Sequence, residues 1–122
     1  MDDQELMEFV FAENGKVVTD SLTVSEKFER RHDNVLRDIA IQIEKLKEAK
    51  MEEWSLLNFE ESKYLNERGR EYIKINLTAD AFALVAMAYV TPKAMQMKVK
   101  FLEAFKRMNR CLEPPGFIHG EV

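Results

Sequence analysis

Cysteine is almost missing from this chain of 122 residues: Cys111 is the single thiol, with no partner for an intramolecular disulfide. A disulfide-stapled secreted scaffold is therefore excluded, and a reducing, cytoplasmic compartment is expected. Four glycines and three prolines are too few for a collagen-like or low-complexity chain. Long apolar runs are missing too. The longest, Ala81 to Val90, is about half of the roughly 20 residues a membrane helix needs, so it reads as a buried helix and no membrane partner is expected. The acidic start Asp2-Asp3-Gln4-Glu5 is not the basic opening of an export signal. His32, His119 and Cys111 have no metal-ligand spacing. Phosphate-cradling glycine loops, nucleophile elbows and paired-cysteine motifs are lacking, and Ser21, Ser25, Ser55 and Ser62 have no histidine partner by spacing. No metal, no cofactor and no enzyme activity are expected.

What the chain does contain is core material: 46% hydrophobic and 33% charged residues suit one folded domain that hides roughly 60% or more of its unfolded surface. The net charge of −4 argues weakly against a nucleic-acid binder. It also hides a gradient. Residues 1–13 carry five acidic side chains and no basic one, whereas residues 91–110 carry Lys93, Lys98, Lys100, Lys106, Arg107 and Arg110 against Glu103 alone.

Phe9-Val10-Phe11, Asn14-Gly15 and Lys16 to Thr19 read as a β-hairpin around a favoured two-residue turn. Thr23-Val24-Ser25-Glu26 fits a capping box and predicts a short helix over about 24–30. Asp33 can cap a second helix reaching Lys50 or so. Its core stripe is Val35, Ile39, Ile43 and Leu46, widened by Leu36 and Ala40, and Asn34, Arg37, Asp38 and Ile41 remain on the other side. A second hairpin, Phe59 to Leu65 and Tyr72 to Leu77, flanks Asn66-Glu67-Arg68-Gly69-Arg70, where the glycine can supply a positive φ. Thr78 caps an apolar helix over 79–90. Thr91-Pro92 starts the last one, about 92–112, burying Met97, Phe101, Phe105 and Met108. The seven methionines are expected mainly as core filler. Pro114-Pro115-Gly116 marks a C-terminal tail, 113–122, after a single domain over 1–112.

Two short helices joined by a four-residue turn form a helix-turn-helix arrangement, and a hairpin with arginine at its tip adds a wing. Such a second helix fits the major groove. Asn34 and Arg37 are the candidates for base edges, because Asn pairs bidentately with adenine and Arg with guanine; Arg30, Arg31, His32, Arg68 and Arg70 suit the backbone or minor groove. On spacing alone the same residues also read as solvated charge, since Lys27, Arg30, Arg31, Arg37 and Lys45 are offset by Glu26, Glu29, Asp33, Asp38 and Glu44.

Several blocks add to this in order: Val18-Thr19-Asp20-Ser21, Arg31-His32-Asp33-Asn34-Val35-Leu36-Arg37-Asp38-Ile39, Tyr64 with Gly69-Arg70, Leu77-Thr78-Ala79-Asp80-Ala81-Phe82, and Ala94 through Lys98 to Ala104-Phe105. Over about residues 17–110 the chain resembles the phage regulatory protein Rha family of temperate bacteriophages and prophages. The resemblance implies an α+β, winged-helix-like single domain with a helix-turn-helix, two small β-hairpins and two C-terminal helices. Its implied role is a DNA-binding regulator of phage genes in the bacterial cytoplasm, related to phage antirepressors. Ala81 and Pro92 stand where the family usually has glycine, and both favour helix starts. Many relatives carry an additional C-terminal domain, for which the residues after Cys111 are too few.

The expected partner is double-stranded DNA. The competing reading is a protein-interaction module, an antirepressor or host-factor-binding protein that does not bind DNA itself. A homodimer is expected, because one recognition helix contacts few base pairs and paired half-sites are the common remedy. Val10, Phe11, Trp54, Leu56, Leu57, Phe117 and Ile118 are its candidate interface, and His119 has no assigned role.

Overall fold

The computed structural model describes residues 2–112. The tail 113–122 and the interface candidates Phe117 and Ile118 lie outside the described residues. In chain order the elements are α1 (Asp3–Leu6), β1 (Phe11–Glu13), β2 (Lys16–Asp20), α2 (Ser21–Lys27), α3 (His32–Glu48), α4 (Glu52–Asn58), β3 (Phe59–Leu65), β4 (Glu71–Leu77), α5 (Ala79–Ala86) and α6 (Pro92–Leu112). Among the described residues the architecture is α+β: six helices and one antiparallel four-stranded sheet of order β1-β2-β4-β3.

Asn14 and Gly15 hold the positive φ values, 53° and 77°, that the tight β1–β2 turn requires. In the longer hairpin, β3 and β4 pair from Phe59↔Leu77 to Leu65↔Glu71. Strand β2 crosses to this hairpin through Thr19↔Leu77 and Asp20↔Asn76. The strand before the helix pair is thereby hydrogen-bonded to the second strand of the hairpin that follows it.

Helix α2 begins earlier than the capping box predicts. Asp20, not Thr23, is the cap: its Oδ1 accepts from both the amide and the hydroxyl of Thr23, each at 2.8 Å. A carboxylate here also draws Lys74 to 2.8 Å, joining the helix start to β4. Helix α3 starts at His32 with Arg31 in the cap position and no side-chain cap. Asp33, the expected cap, lies one residue inside and accepts from the Asn34 amide at 2.9 Å. Helix α5 stops at Ala86, short of the predicted Val90. The short helices α1 and α4 were not foreseen from the sequence.

Phe82 and Phe101 meet at the centre of the core, 4.4 Å between ring centroids, with Phe9, Phe28 and Phe105 around them. Val35 and Ile39 of α3 are buried as their spacing requires, while Ile43 and Leu46 are partly buried. Ala40, expected beside them, is exposed. Met97 and Met108 pack partly against the core, whereas Met7, Met51, Met87 and Met95 are exposed, so methionine is not its main filler. Val10, expected at an interface, is buried in its own chain. Phe11 is half-buried and Trp54 packs on the core; Leu56 and Leu57 remain exposed, at 78% and 65%.

Candidate nucleic-acid interface

Between α2 and α3 the chain turns through residues 28–31. Glu29 takes a left-handed φ of 54°, its amide bonds to Glu26 O at 3.3 Å, and the Arg30 amide reaches Ser25 O at 3.0 Å. This pair of bonds is a Schellman stop, which normally favours glycine at the Glu29 position. Phe28 is seated inside the turn, stacked on Phe101 at 5.7 Å and against Tyr89 at 5.0 Å. The angle at which α3 leaves α2 is thus set by core packing.

Each predicted contact residue near this turn already has a partner. Arg31 pairs with Asp33 at 3.0 Å, both side chains exposed, an arrangement worth little in water and readily exchanged. The Arg37 guanidinium donates to Asn34 Oδ1 one turn back, so the two candidate base readers hold each other. Arg30 lies over the Tyr89 ring, 4.0 Å from its centroid. That stacking draws it toward the segment between α5 and α6. Asp38, predicted on the free polar face of α3, accepts from the Tyr89 hydroxyl at 2.7 Å. Burial, with this carboxylate beside it, pushes the Tyr89 phenol up.

His32 is the best-anchored of the set. Its Nε2 lies 2.8 Å from Ser21 Oγ, and that hydroxyl accepts the Ile75 amide of β4 at 3.0 Å. Desolvation holds the imidazole below its ordinary value, against the opposing influence of Asp20 and Asp33. The serine–histidine contact, which spacing did not reveal, is structural: Ser21 is fully buried. On its other side His32 meets the Tyr64 ring of β3 edge-on, 6.3 Å between centroids. His32 therefore ties the start of α3 to the stem of the hairpin.

Arg68 and Arg70 are exposed at the tip of that hairpin. Asn66 Oδ1 accepts both of their backbone amides, at 3.0 and 2.9 Å. The Gly69 amide returns to Asn66 O at 2.9 Å, with Gly69 at φ 78°. The loop backbone is organised by asparagine and glycine while both guanidinium groups face water. Of the basic residues counted in the C-terminal helix, Lys93 pairs with Glu29. On the acidic segment, Glu8 lies 3.8 Å from Lys27, and α1 packs beside α6 of the same chain. The structure thus brings His32 to the hairpin, leaves Arg31, Arg37, Arg68 and Arg70 exposed, and directs Arg30 elsewhere. The sequence pattern did not reveal Ser21 or Tyr89; the hydrogen-bonding hydroxyl of an otherwise apolar run was the one available signal for Tyr89.

This is the arrangement of a small α+β domain. The sequence pattern of the phage regulatory protein Rha family matches residues 19–110, and the chain belongs to that family. It is 41% identical over 103 residues to an uncharacterized protein of Haemophilus influenzae, covering 84% of this chain and 57% of the relative. It is 29% identical over 104 residues to the Bacillus subtilis protein named "SPbeta prophage-derived putative antirepressor protein YoqD", covering 85% of this chain and 41% of the relative. The chain spans about half the length of these curated relatives. No solved structure matches it. No helix among the described residues is long and apolar enough to cross a membrane.

Proposed function

We propose that this chain is a double-stranded-DNA-binding regulator of phage or prophage genes acting in the cytoplasm of the bacterial host, with residues 1–112 as a winged-helix domain. The observation that carries the reading is the order of elements around His32. A strand, two helices joined by a tight turn, the short α4 and then a hairpin paired back to that strand include the parts a winged helix uses to lay one helix in the major groove and a loop beside it. Arg37 and Asn34 are assigned to base edges; Arg31, His32, Arg68 and Arg70 are assigned to phosphate or the minor groove, and Arg30 to a phosphate at the margin. The ion pair and hydrogen bond that Arg31 and Arg37 make in the free protein are surface interactions that phosphate and guanine replace with stronger, charge-assisted ones. We assign the DNA-bound form to a homodimer, joined through the exposed Leu56 and Leu57 of α4.

The test is titration of the purified chain against duplex DNA from its own phage regulatory region at several salt concentrations. Affinity that falls steeply with salt and exceeds that for an unrelated duplex supports the reading; no binding to either duplex at low salt overturns it.

The exposed apolar side chains of α4 and the name of the Bacillus relative favour one second reading, an antirepressor that binds a phage or host regulatory protein instead of DNA. Co-elution with a purified repressor of the same phage, in the absence of DNA binding, would establish it.

A further inference from the structure

We propose that Tyr64 and Tyr72 form, with Arg70 and His32, a row of phosphate-binding donors along one face of the β3–β4 hairpin, linking its tip to the start of α3. This rests on the DNA-binding reading above and deepens it.

Tyr64 and Tyr72 are direct cross-strand partners, so both side chains stand on the same face of the hairpin. Their rings stack 5.7 Å apart at 29°. His32 continues the row at one end through its edge contact with Tyr64. At the other end the Asn66 amide bonds to Arg70 O at 3.0 Å, extending the pairing by one position, so that alternation puts Arg70 on the face of Tyr72. The opposite face is occupied otherwise: Lys63 and Glu71 approach to 3.9 Å there, beside the exposed Leu65 and Ile73.

The occupant is identified by charge and by donor type. Tyr72 is 41% exposed, and in contrast to Tyr89, whose hydroxyl is committed to Asp38, this pair contributes nothing to the central aromatic core. A phenol donates a hydrogen bond without carrying charge. With Arg70 on the same face, such hydroxyls suit the anionic oxygens of a nucleic-acid backbone, where side-chain hydroxyls commonly fix register. The row spans the gap between the helix that would read bases and the tip that would hold the next stretch of backbone. It would set how far apart those two contacts fall along the duplex.

Tyr64→Phe, Tyr72→Phe and the double variant keep the stacked rings and remove only the donors. Fluorescence anisotropy with a labelled duplex, at several salt concentrations, is the measurement, with wild type and Arg70→Ala alongside and thermal melts of each. Each single variant is expected to weaken binding by about two- to tenfold, with an unchanged melting temperature. The salt slope should stay that of wild type, because a neutral donor releases no counterion, whereas Arg70→Ala should lower it by about one unit. Wild type that binds, with a double Phe variant that binds equally well, overturns this inference and leaves the DNA reading standing. Wild type that binds no duplex overturns both.

Discussion

Asp38 and Tyr89, fifty-one residues apart in the chain, meet in a 2.7 Å hydrogen bond that fastens the outer side of α3 to the segment between α5 and α6. Tyr89 is only 2% exposed, and the Arg30 guanidinium covers its ring. Removing the hydroxyl leaves a half-buried carboxylate without its donor. Tyr89→Phe should therefore destabilise the fold by about 1–3 kcal/mol, read as a lower urea midpoint with an unchanged slope. An unaltered midpoint would mean that water satisfies Asp38 equally well.

Helix α3 ends in a second Schellman stop: the Met51 amide reaches Leu46 O at 2.8 Å, the Lys50 amide reaches Lys47 O at 3.0 Å, and Lys50 sits at φ 61°. A side chain in this conformation is strained, and glycine is not. Lys50 is exposed, so Lys50→Gly removes little else. The expected outcome is a gain of roughly 1 kcal/mol in chemical denaturation, partly offset by the larger unfolded-state freedom of glycine. A loss of stability would show that the lysine makes a compensating contact.

His32 makes stability depend on pH. Because its folded pKa lies below the ordinary 6.5, the unfolded chain takes up the proton first as the pH falls. The neutral imidazole's contribution is fully present above 6.5 and is lost on acidification toward the folded value. Urea midpoints measured from pH 7.5 down to 5 should decline for wild type and decline less for His32→Gln. Parallel curves for the two proteins would remove His32 as the cause.

Arg31→Ala, Arg68→Ala and Arg70→Ala should weaken DNA binding across sequences, each lowering the salt slope by about one unit. Arg37→Ala should cost roughly 1–3 kcal/mol on the preferred site and little elsewhere. Arg30→Ala should affect stability through the lost Tyr89 contact more than it affects binding. Gel shifts indistinguishable from wild type for Arg31→Ala and Arg37→Ala would place the interface elsewhere on the molecule.

Leu56→Asp together with Leu57→Asp should convert a dimer into a monomer near 14.3 kDa by sedimentation, with helical content preserved because both side chains are exposed. A wild type that already sediments as a monomer, with or without DNA, would exclude the paired arrangement on a palindromic site.

The elements that could be read directly are those whose signals are local. The β3–β4 hairpin declared itself through Gly69 and the flanking β-rich runs, α5 through its Thr78 cap, which accepts from Ala81 N at 3.2 Å, and α6 through Thr91-Pro92. Their physics lies within a few residues. The end of α2 was illegible for the opposite reason: Glu29 occupies a position where glycine usually announces a stop, whereas α3, expected to reach Lys50 or so, ends at Glu48. The start of α2 was misread because Asp20 and Thr23 are both competent caps, and Lys74, fifty-four residues on, lies against the Asp20 carboxylate.

The sequence by itself determined the family, the helical and strand periods and the identity of the basic residues at the turn and the hairpin tip, since each depends on residue types at fixed short spacing. Only the tertiary structure decided which of those residues are available. Arg30 is drawn to Tyr89, Val10 vanishes into the core, Leu56 and Leu57 stay outside, and His32 joins Ser21 and Tyr64 into one connection between helix and hairpin. These outcomes depend on which distant side chain arrives within hydrogen-bond or van der Waals reach. That is set by the crossing of β2 to β4 and the packing of α5 and α6, and no local pattern encodes it.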